Sequence, residues 1–251
     1  MRSRHVRVWL ASGLLLGLAG CDALPGRPTA AERWVRPDAV LDGVALFDAN
    51  CRGCHGEPGR LAPVRDLGDP VFLAVIGKSE LRRVVSDGVA GTPMPVFSSE
   101  HGGLLTEAQI AALADGIFSR WATPGAFAEV DLPPYREASA RRAGAAPGDA
   151  TRGLAVWKDY CSECHGENGE GGGGRLAITE GSFLALISDQ GIRSIVIAGR
   201  PELGMPSWRE HEGRPPLALQ QISDVVAWVI AQRRPFPGAP YPADDVAAGS
   251  P

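Results

Sequence analysis

The chain has 251 residues, 44% apolar and 22% charged, an ordinary globular composition that excludes a largely disordered or fibrous protein. That length allows one or two domains with cores of their own, and 32 Gly with 21 Pro against 6% aromatics favour small modules over one large β-sandwich. The formal charge is −4, but residues 1–20 hold three Arg and no acid; the rest carries 22 basic against 29 acidic side chains, a net −7, which gives no electrostatic case for nucleic acid.

The first element is an export signal. Three arginines in Met1–Arg7 precede the apolar run Val8–Ala19, too short to span a bilayer but suited to a signal-peptide core. It ends in Leu18-Ala19-Gly20-Cys21, which resembles the lipobox of bacterial lipoproteins, cut before an acylated cysteine. The alternative is an ordinary signal peptide with an incidental Cys. Residues 1–20 are therefore predicted as a lipoprotein signal, Cys21 as the lipidation site and residues 21–37 as a tether. No later stretch approaches 18 apolar residues, so lipid alone is expected to hold the chain on the periplasmic side of a bacterial membrane.

The other four cysteines form two identical spacings, Cys51-Arg52-Gly53-Cys54-His55 and Cys161-Ser162-Glu163-Cys164-His165. C-x-x-C-H is the c-type haem attachment pattern: two thiols add to the haem vinyl groups, and the adjacent His reaches the iron. Disulfides within each pair would not require a His after both. A thioredoxin-type pair needs a βαβ context, and no strand-rich run precedes either motif. Zinc held by the four thiolates would leave both His unexplained.

The offset of 110 residues between the motifs persists on both sides. Gly43 and Gly153 lie eight residues before the first Cys, and Phe47 and Trp157 four before it, on one face at helical spacing. Downstream, Arg60-Leu61-Ala62 matches Arg175-Leu176-Ala177, and Leu81-Arg82 with Val84-Val85 matches Ile192-Arg193 with Ile195-Val196. Gly88 matches Gly199, and Gln109-Ile110, Leu113 and Ile117 match Gln221-Ile222, Val225 and Val229. Each half reads as an N-terminal helix ending at the attachment site, a loop, a middle helix, a ligand loop and a C-terminal helix.

Beyond Met1 the chain has two methionines, Met94 and Met205, lying 39 and 40 residues after His55 and His165. Each precedes Pro and has an aromatic three residues on, in Met94-Pro95-Val96-Phe97 and Met205-Pro206-Ser207-Trp208. They are the expected sixth ligands, since a thioether opposite imidazole raises the reduction potential. The competitors are His101 and His211, each 46 residues past the proximal His, in polar surroundings that read as solvated loop.

On these residues each half resembles a class I cytochrome c domain, and the chain is similar to tandem di-haem cytochromes c of bacterial electron transport. The matching residues are Gly43, Phe47, Cys51, Cys54, His55 and Met94-Pro95, then Gly153, Trp157, Cys161, Cys164, His165 and Met205-Pro206. The resemblance covers residues 38–122 and 149–234, and implies an all-α fold with two covalently bound haem c and first and last helices that cross near the Gly. Two departures stand out. The C-terminal aromatic that meets the Gly is Trp228 in the second half, but its counterpart is Gly116, where Phe118 or Trp121 substitutes or the crossing loosens. The Pro whose carbonyl fixes the proximal imidazole is read as Pro63, but its counterpart is Ile178.

Several features read as structural. The run Gly169–Gly174 lacks the Gly-Lys-Ser/Thr of a phosphate loop and reads as a flexible loop at the haem edge. Arg60, Arg65 and Arg175 are either partners of haem propionates or solvated. Residues 123–148 are predicted as a linker extended at Pro133-Pro134, and residues 235–251, with Asp244-Asp245, as a flexible tail. The expected function is to relay single electrons between a membrane respiratory or photosynthetic complex, such as a quinol-oxidising complex or terminal oxidase, and another redox protein. The alternative is a di-haem enzyme of peroxidase or thiosulfate dehydrogenase type. The two halves are expected to behave as separate modules.

Overall fold

Short helices, most of them closed by a side-chain or glycine cap, build a computed structural model that describes residues 34–56, 64–173, 176–211 and 213–234. The signal segment, Cys21, most of the tether, Arg60, Pro63, Arg175 and the tail with Asp244-Asp245 lie outside the described residues. Residues up to Val40 form one unit, in which a 3₁₀ turn at Pro37–Ala39 follows Arg36. Leu41 onward forms a second unit that contains both halves of the repeat.

In the first half, α1 (Gly43–Asn50) starts where the Asp42 carboxylate accepts from the Val44 and Ala45 amides at 2.8 and 2.9 Å. One further turn, α2 (Arg52–His55), carries the Cys-x-x-Cys-His motif. Next, α3 (Pro70–Asp87) begins at an Asp69 cap with Pro at its first position. The single middle helix expected from the sequence breaks at Gly77 (φ 67°, ψ 158°), a conformation essentially restricted to glycine. α4 (Glu107–Trp121) opens on a capping box between Thr106 and Gln109.

The connecting segment carries no helix at Pro133-Pro134 but is folded beyond it. It contains α5 (Glu137–Arg142), and the carbonyls of Pro134 and Tyr135 accept from Arg193, whose side chain is only 1% exposed. Arg193 also pairs with Glu137 at 2.8 Å. Such a guanidinium is tolerable in a core because carbonyls and a carboxylate meet its donors. Arg136 pairs with Glu80 at 2.6 Å, and Tyr135 packs edge-on against Phe72.

The second half repeats the plan with α6 (Ala150–Tyr160), α7 (Ser162–His165), α8 (Gly181–Leu186), α9 (Asp189–Ala198) and α10 (Leu219–Ala231). The break at Gly77 recurs here as the gap between α8 and α9, where Ser188 caps Gly191 at 3.0 Å. Among the described residues β-pairing is limited to isolated bridges, so the fold is all-α.

One core gathers Leu46, Phe47, Leu73, Ile110, Leu113 and Ile117; the other gathers Trp157, Ile197, Trp208, Ile222, Val225 and Trp228. Val71 and Val75 of α3 and Val130 and Leu132 of the connection pack against this second core. The halves are thus joined by buried apolar surface, which corrects the expectation of separate modules.

Candidate haem sites

Both attachment motifs occupy a single helical turn at the end of the first helix of each half. The Cys51 amide closes α1 on the Phe47 carbonyl at 2.8 Å, and its own carbonyl accepts from Cys54 and His55 at 3.1 and 2.9 Å. The second half repeats this: Cys161 on Trp157 at 2.8 Å, then Cys164 and His165 on Cys161 at 3.2 and 3.0 Å. Residues at i, i+3 and i+4 share a face, so one turn presents two thiols and an imidazole together. Gly56 and Gly166, at φ 70° and 83°, end each turn.

All four cysteines are free, with Cys51 buried and Cys54 and Cys164 exposed. Burial, and then the neighbouring Cys54, push the Cys51 thiol up to about 11; burial and then Cys164 push Cys161 up to about 12. Both are neutral thiols at physiological pH, poorly suited to act as redox thiolates. No group of three or more His, Cys, Asp or Glu among the described residues is arranged to hold a metal ion. The disulfide, thioredoxin and zinc readings therefore find no support in the geometry.

The imidazole of each motif is oriented through Nδ1. His55 Nδ1 lies 3.2 Å from the Arg65 carbonyl, and His165 Nδ1 lies 3.4 Å from the Leu176 carbonyl. Burial holds His55 below the usual histidine range, an effect that the bond to Arg65 only partly offsets. A neutral ring that donates from Nδ1 leaves the Nε2 lone pair for a metal. The described acceptors are thus Arg65 and Leu176; Pro63, expected to orient His55, lies outside the described residues, and Ile178 stands where the second half lacks a matching Pro. The sequence carries little signal for this, because a backbone carbonyl can come from any residue.

The methionine loops fold back on repeat-matched glycines. The Val89 amide donates to the Met94 carbonyl at 3.1 Å, and the Arg200 amide to the Met205 carbonyl at 3.0 Å. Gly88 and Gly199 end α3 and α9 at φ 66° and 74°. A Cβ on Gly88 would lie 2.7–2.8 Å from the Pro95 backbone, and one on Gly199 2.5–2.6 Å from the Pro206 and Met205 carbonyl oxygens. Both methionines are half-buried. His101 instead makes an exposed pair with Asp87 at 3.2 Å. His211, expected to be solvated, packs edge-on against Tyr160, with centroids 5.1 Å apart.

The glycine run is a folded turn rather than a flexible loop as far as Gly173; Gly174 lies outside the described residues. Gly171 donates to the His165 carbonyl at 2.8 Å and the Thr179 amide donates to Gly169 at 3.2 Å. Positive φ at Gly169, Gly171, Gly172 and Gly173 makes this turn possible.

These donor sets fit haem c: paired free thiols, a neutral imidazole with its far nitrogen available, and a thioether loop seated on glycine. Arg65 Nε adds a buried donor with no hydrogen-bond partner among the described residues, of the kind a haem carboxylate accepts.

The family described as cytochrome c oxidase, cbb3-type, subunit III matches residues 38–115 and 148–229. The Cbb3-type cytochrome c oxidase subunit FixP of Azorhizobium caulinodans is 26% identical over 179 residues, covering 68% of this chain and 53% of its own length. The cytochrome bc1 complex cytochrome c subunit of Corynebacterium diphtheriae is 23% identical over 231 residues, 87% of this chain and 77% of that one. The Cbb3-type cytochrome c oxidase subunit CcoP of an Azospirillum species is 28% identical over 144 residues, 53% of this chain and 41% of that one. This chain thus spans about half the length of the cbb3-type relatives it matches. A solved chain of the Kuenenia stuttgartiensis reducing HAO-like protein complex aligns with 80% of this chain and 100% of its own length at TM-score 0.44 and 17% identity, a likeness too loose to bear on function.

Proposed function

The chain belongs to the cytochrome c family described as cytochrome c oxidase, cbb3-type, subunit III, as a di-haem c-type cytochrome with one covalently bound haem per half, and from that premise we propose how its residues serve electron transfer. Cys51 and Cys54 hold the first haem and Cys161 and Cys164 the second. His55 with Met94, and His165 with Met205, would bind the two irons. When bound, each haem cycles between ferric and ferrous iron and so carries one electron. The chain's own residues hold each imidazole to a backbone carbonyl, pack the backbone of each methionine loop against a glycine and keep water from the buried Cys51 side.

The electrons pass between a quinol-oxidising complex or terminal oxidase and another redox protein. Relatives named as subunits of a cbb3-type oxidase and of a bc1 complex support that class of partner. The lipobox-like Leu18–Cys21 supports a chain carried by lipid on the periplasmic side of the membrane. No helix among the described residues is long and apolar enough to cross a membrane.

The observation that carries this reading is the matched packing of the Met94-Pro95 and Met205-Pro206 backbones against Gly88 and Gly199. With both thioethers on iron, neither haem offers an open position to carbon monoxide. Met94→Ala and Met205→Ala should each open one site to carbon monoxide and lower that haem's potential, because Met favours ferrous iron over harder ligands such as water. Rapid binding of carbon monoxide by the unmodified protein would overturn this reading and favour an enzyme with a working open site.

A further inference from the structure

One residue of the first half reaches the ligand loop of the second. Arg65 uses its backbone at the first site, where its carbonyl lies 3.2 Å from His55 Nδ1. Its side chain, 14% exposed, runs the other way: Nη2 pairs with buried Asp69, the guanidinium lies 4.6 Å from the centre of the Phe72 ring, and Nη1 donates to the Gly199 carbonyl at 2.8 Å.

That last contact reaches further than its distance implies. The Gly199 carbonyl and the Arg200 amide belong to one planar peptide unit. One edge of this unit accepts from Arg65; the other donates to the Met205 carbonyl at 3.0 Å. The Met205 amide returns a bond to the Arg200 carbonyl, also at 3.0 Å. Continuous hydrogen bonds and covalent bonds therefore run from the His55 ring through Arg65 and the Gly199–Arg200 peptide to the backbone of Met205. Rotation of that peptide is also restricted by Gly199, whose Cα faces the Met205 and Pro206 carbonyl oxygens too closely for any side chain.

Among the described residues the second half has no equivalent. Leu176, which orients His165, is 57% exposed and has no polar side-chain atom to extend toward Met94. The link runs one way, from the first site to the second.

We propose that Arg65 is a positioning residue shared by the two haem sites, fixing the His55 ring through its carbonyl and the Met205 loop through its guanidinium, so that loss of the side chain loosens the sixth ligand of the distant haem. This rests on the reading that Met205 binds the second iron. A planar fork is needed, because Asp69 and Gly199 engage different nitrogens of one guanidinium; a lysine ammonium keeps the charge but loses that geometry.

The test is equilibrium binding of imidazole to the oxidised full-length di-haem protein, with Met205→Ala as the spectrum of an opened second site. Arg65→Lys and Arg65→Met should both raise imidazole affinity at the second haem, by roughly tenfold for loss of one buried charge-assisted hydrogen bond. Arg65→Lys keeps the backbone carbonyl on His55 and the net charge, so the first haem's potential should stay close to the parent's. If Arg65 acted only through its charge, Arg65→Lys would bind imidazole like the parent, and that result overturns the proposal. Should both variants fail to fold with two haems, Asp69→Asn, whose amide oxygen still accepts from Nη2 but without charge, weakens the second anchor, leaves Nη1 on Gly199 and should raise affinity about threefold. No change in Asp69→Asn then overturns the proposal. A parent protein whose second haem takes imidazole as readily as Met205→Ala would instead sink Met205 ligation itself, and the tether with it.

Discussion

Where Gly153 of α6 meets Trp228 of α10 in the second half, Gly43 of α1 meets Gly116 of α4 in the first, and the two crossings reach the same geometry through different atoms. A Cβ on Gly153 would lie 2.0 Å from the Asp224 carbonyl oxygen and 2.8 Å from Trp228 Cβ. A Cβ on Gly43 would lie 2.3 Å from the Ala112 carbonyl oxygen, and one on Gly116 2.8 Å from Gly43 Cα. In the second half Trp228 stacks on Trp157 with centroids 4.4 Å apart. In the first half the ring comes from Trp121, more than a turn further along, edge-on to Phe47 at 5.0 Å. Losing the aromatic at position 116 has not loosened the crossing; it has brought backbone onto backbone. The constant requirement is the glycine on the first helix, while the facing residue can vary if a ring arrives from elsewhere.

This comparison breaks most sharply at the rings. Trp228→Ala removes a buried side chain from the centre of its core and should cost about 3–5 kcal/mol. Trp121→Ala removes a half-exposed ring from a crossing already closed by backbone, and should cost about 2 kcal/mol or less. Chemical denaturation of the two variants, followed by absorbance of each haem, checks the difference. Equal costs would mean that the first crossing depends on its ring as much as the second does.

The middle helices sharpen the comparison at a smaller scale. Gly77 and Ser188 occupy matching breaks, but Gly77 has φ 67° and ψ 158° whereas Ser188 is an ordinary N-cap with φ −77° and ψ 160°. Gly77→Ser installs the second half's residue in the first half's backbone. It should destabilise by about 1–2 kcal/mol through strain alone, since open space surrounds the Cα. A neutral result would show that the first half can adopt the second half's break.

The smallest effect is a dependence on pH at the second half's helix crossing. Burial pushes the Asp224 carboxyl up, but hydrogen bonds from Arg152, the Asp149 amide and Gln220 outweigh it and hold Asp224 below the usual carboxylate range. A carboxylate with a lowered folded-state pKa contributes stability that is fully present above its unfolded value, near 4, and is lost as pH falls through the folded value. Its counterpart in the first half is Ala112. Acid should therefore weaken the second half selectively below about pH 4, and Asp224→Asn should flatten that dependence. Equal acid sensitivity in both halves would place the cause elsewhere.

Much of this arrangement was legible before any coordinates. The two Cys-x-x-Cys-His turns, the glycines at 43 and 153 and the methionine loops with Gly88 and Gly199 repeat at nearly constant offset, and repetition turns weak single signals into a pattern. The break at Gly77 was missed because one glycine within apolar periodicity reads as a tolerated helix residue. The orienting carbonyls of Arg65 and Leu176 were missed because backbone acceptors leave no mark in side-chain identity. The buried joint between the halves was missed for another reason. Arg193 sits in a repeat-matched Ile-Arg pair that carries no signal of burial, and only the folded path of residues 134–137 shows that carbonyls surround it.

The central claim is that one electron entering this chain is shared between two haems held by a single folded unit. The most direct measurement is rapid reduction by a substoichiometric photoreductant, with both haems followed by their resolved absorbance over a range of protein concentrations. The account predicts that the electron distributes between the haems in the ratio set by their potentials, at a rate independent of protein concentration. A rate that rises in proportion to protein concentration, or one haem that never takes the electron, would contradict it.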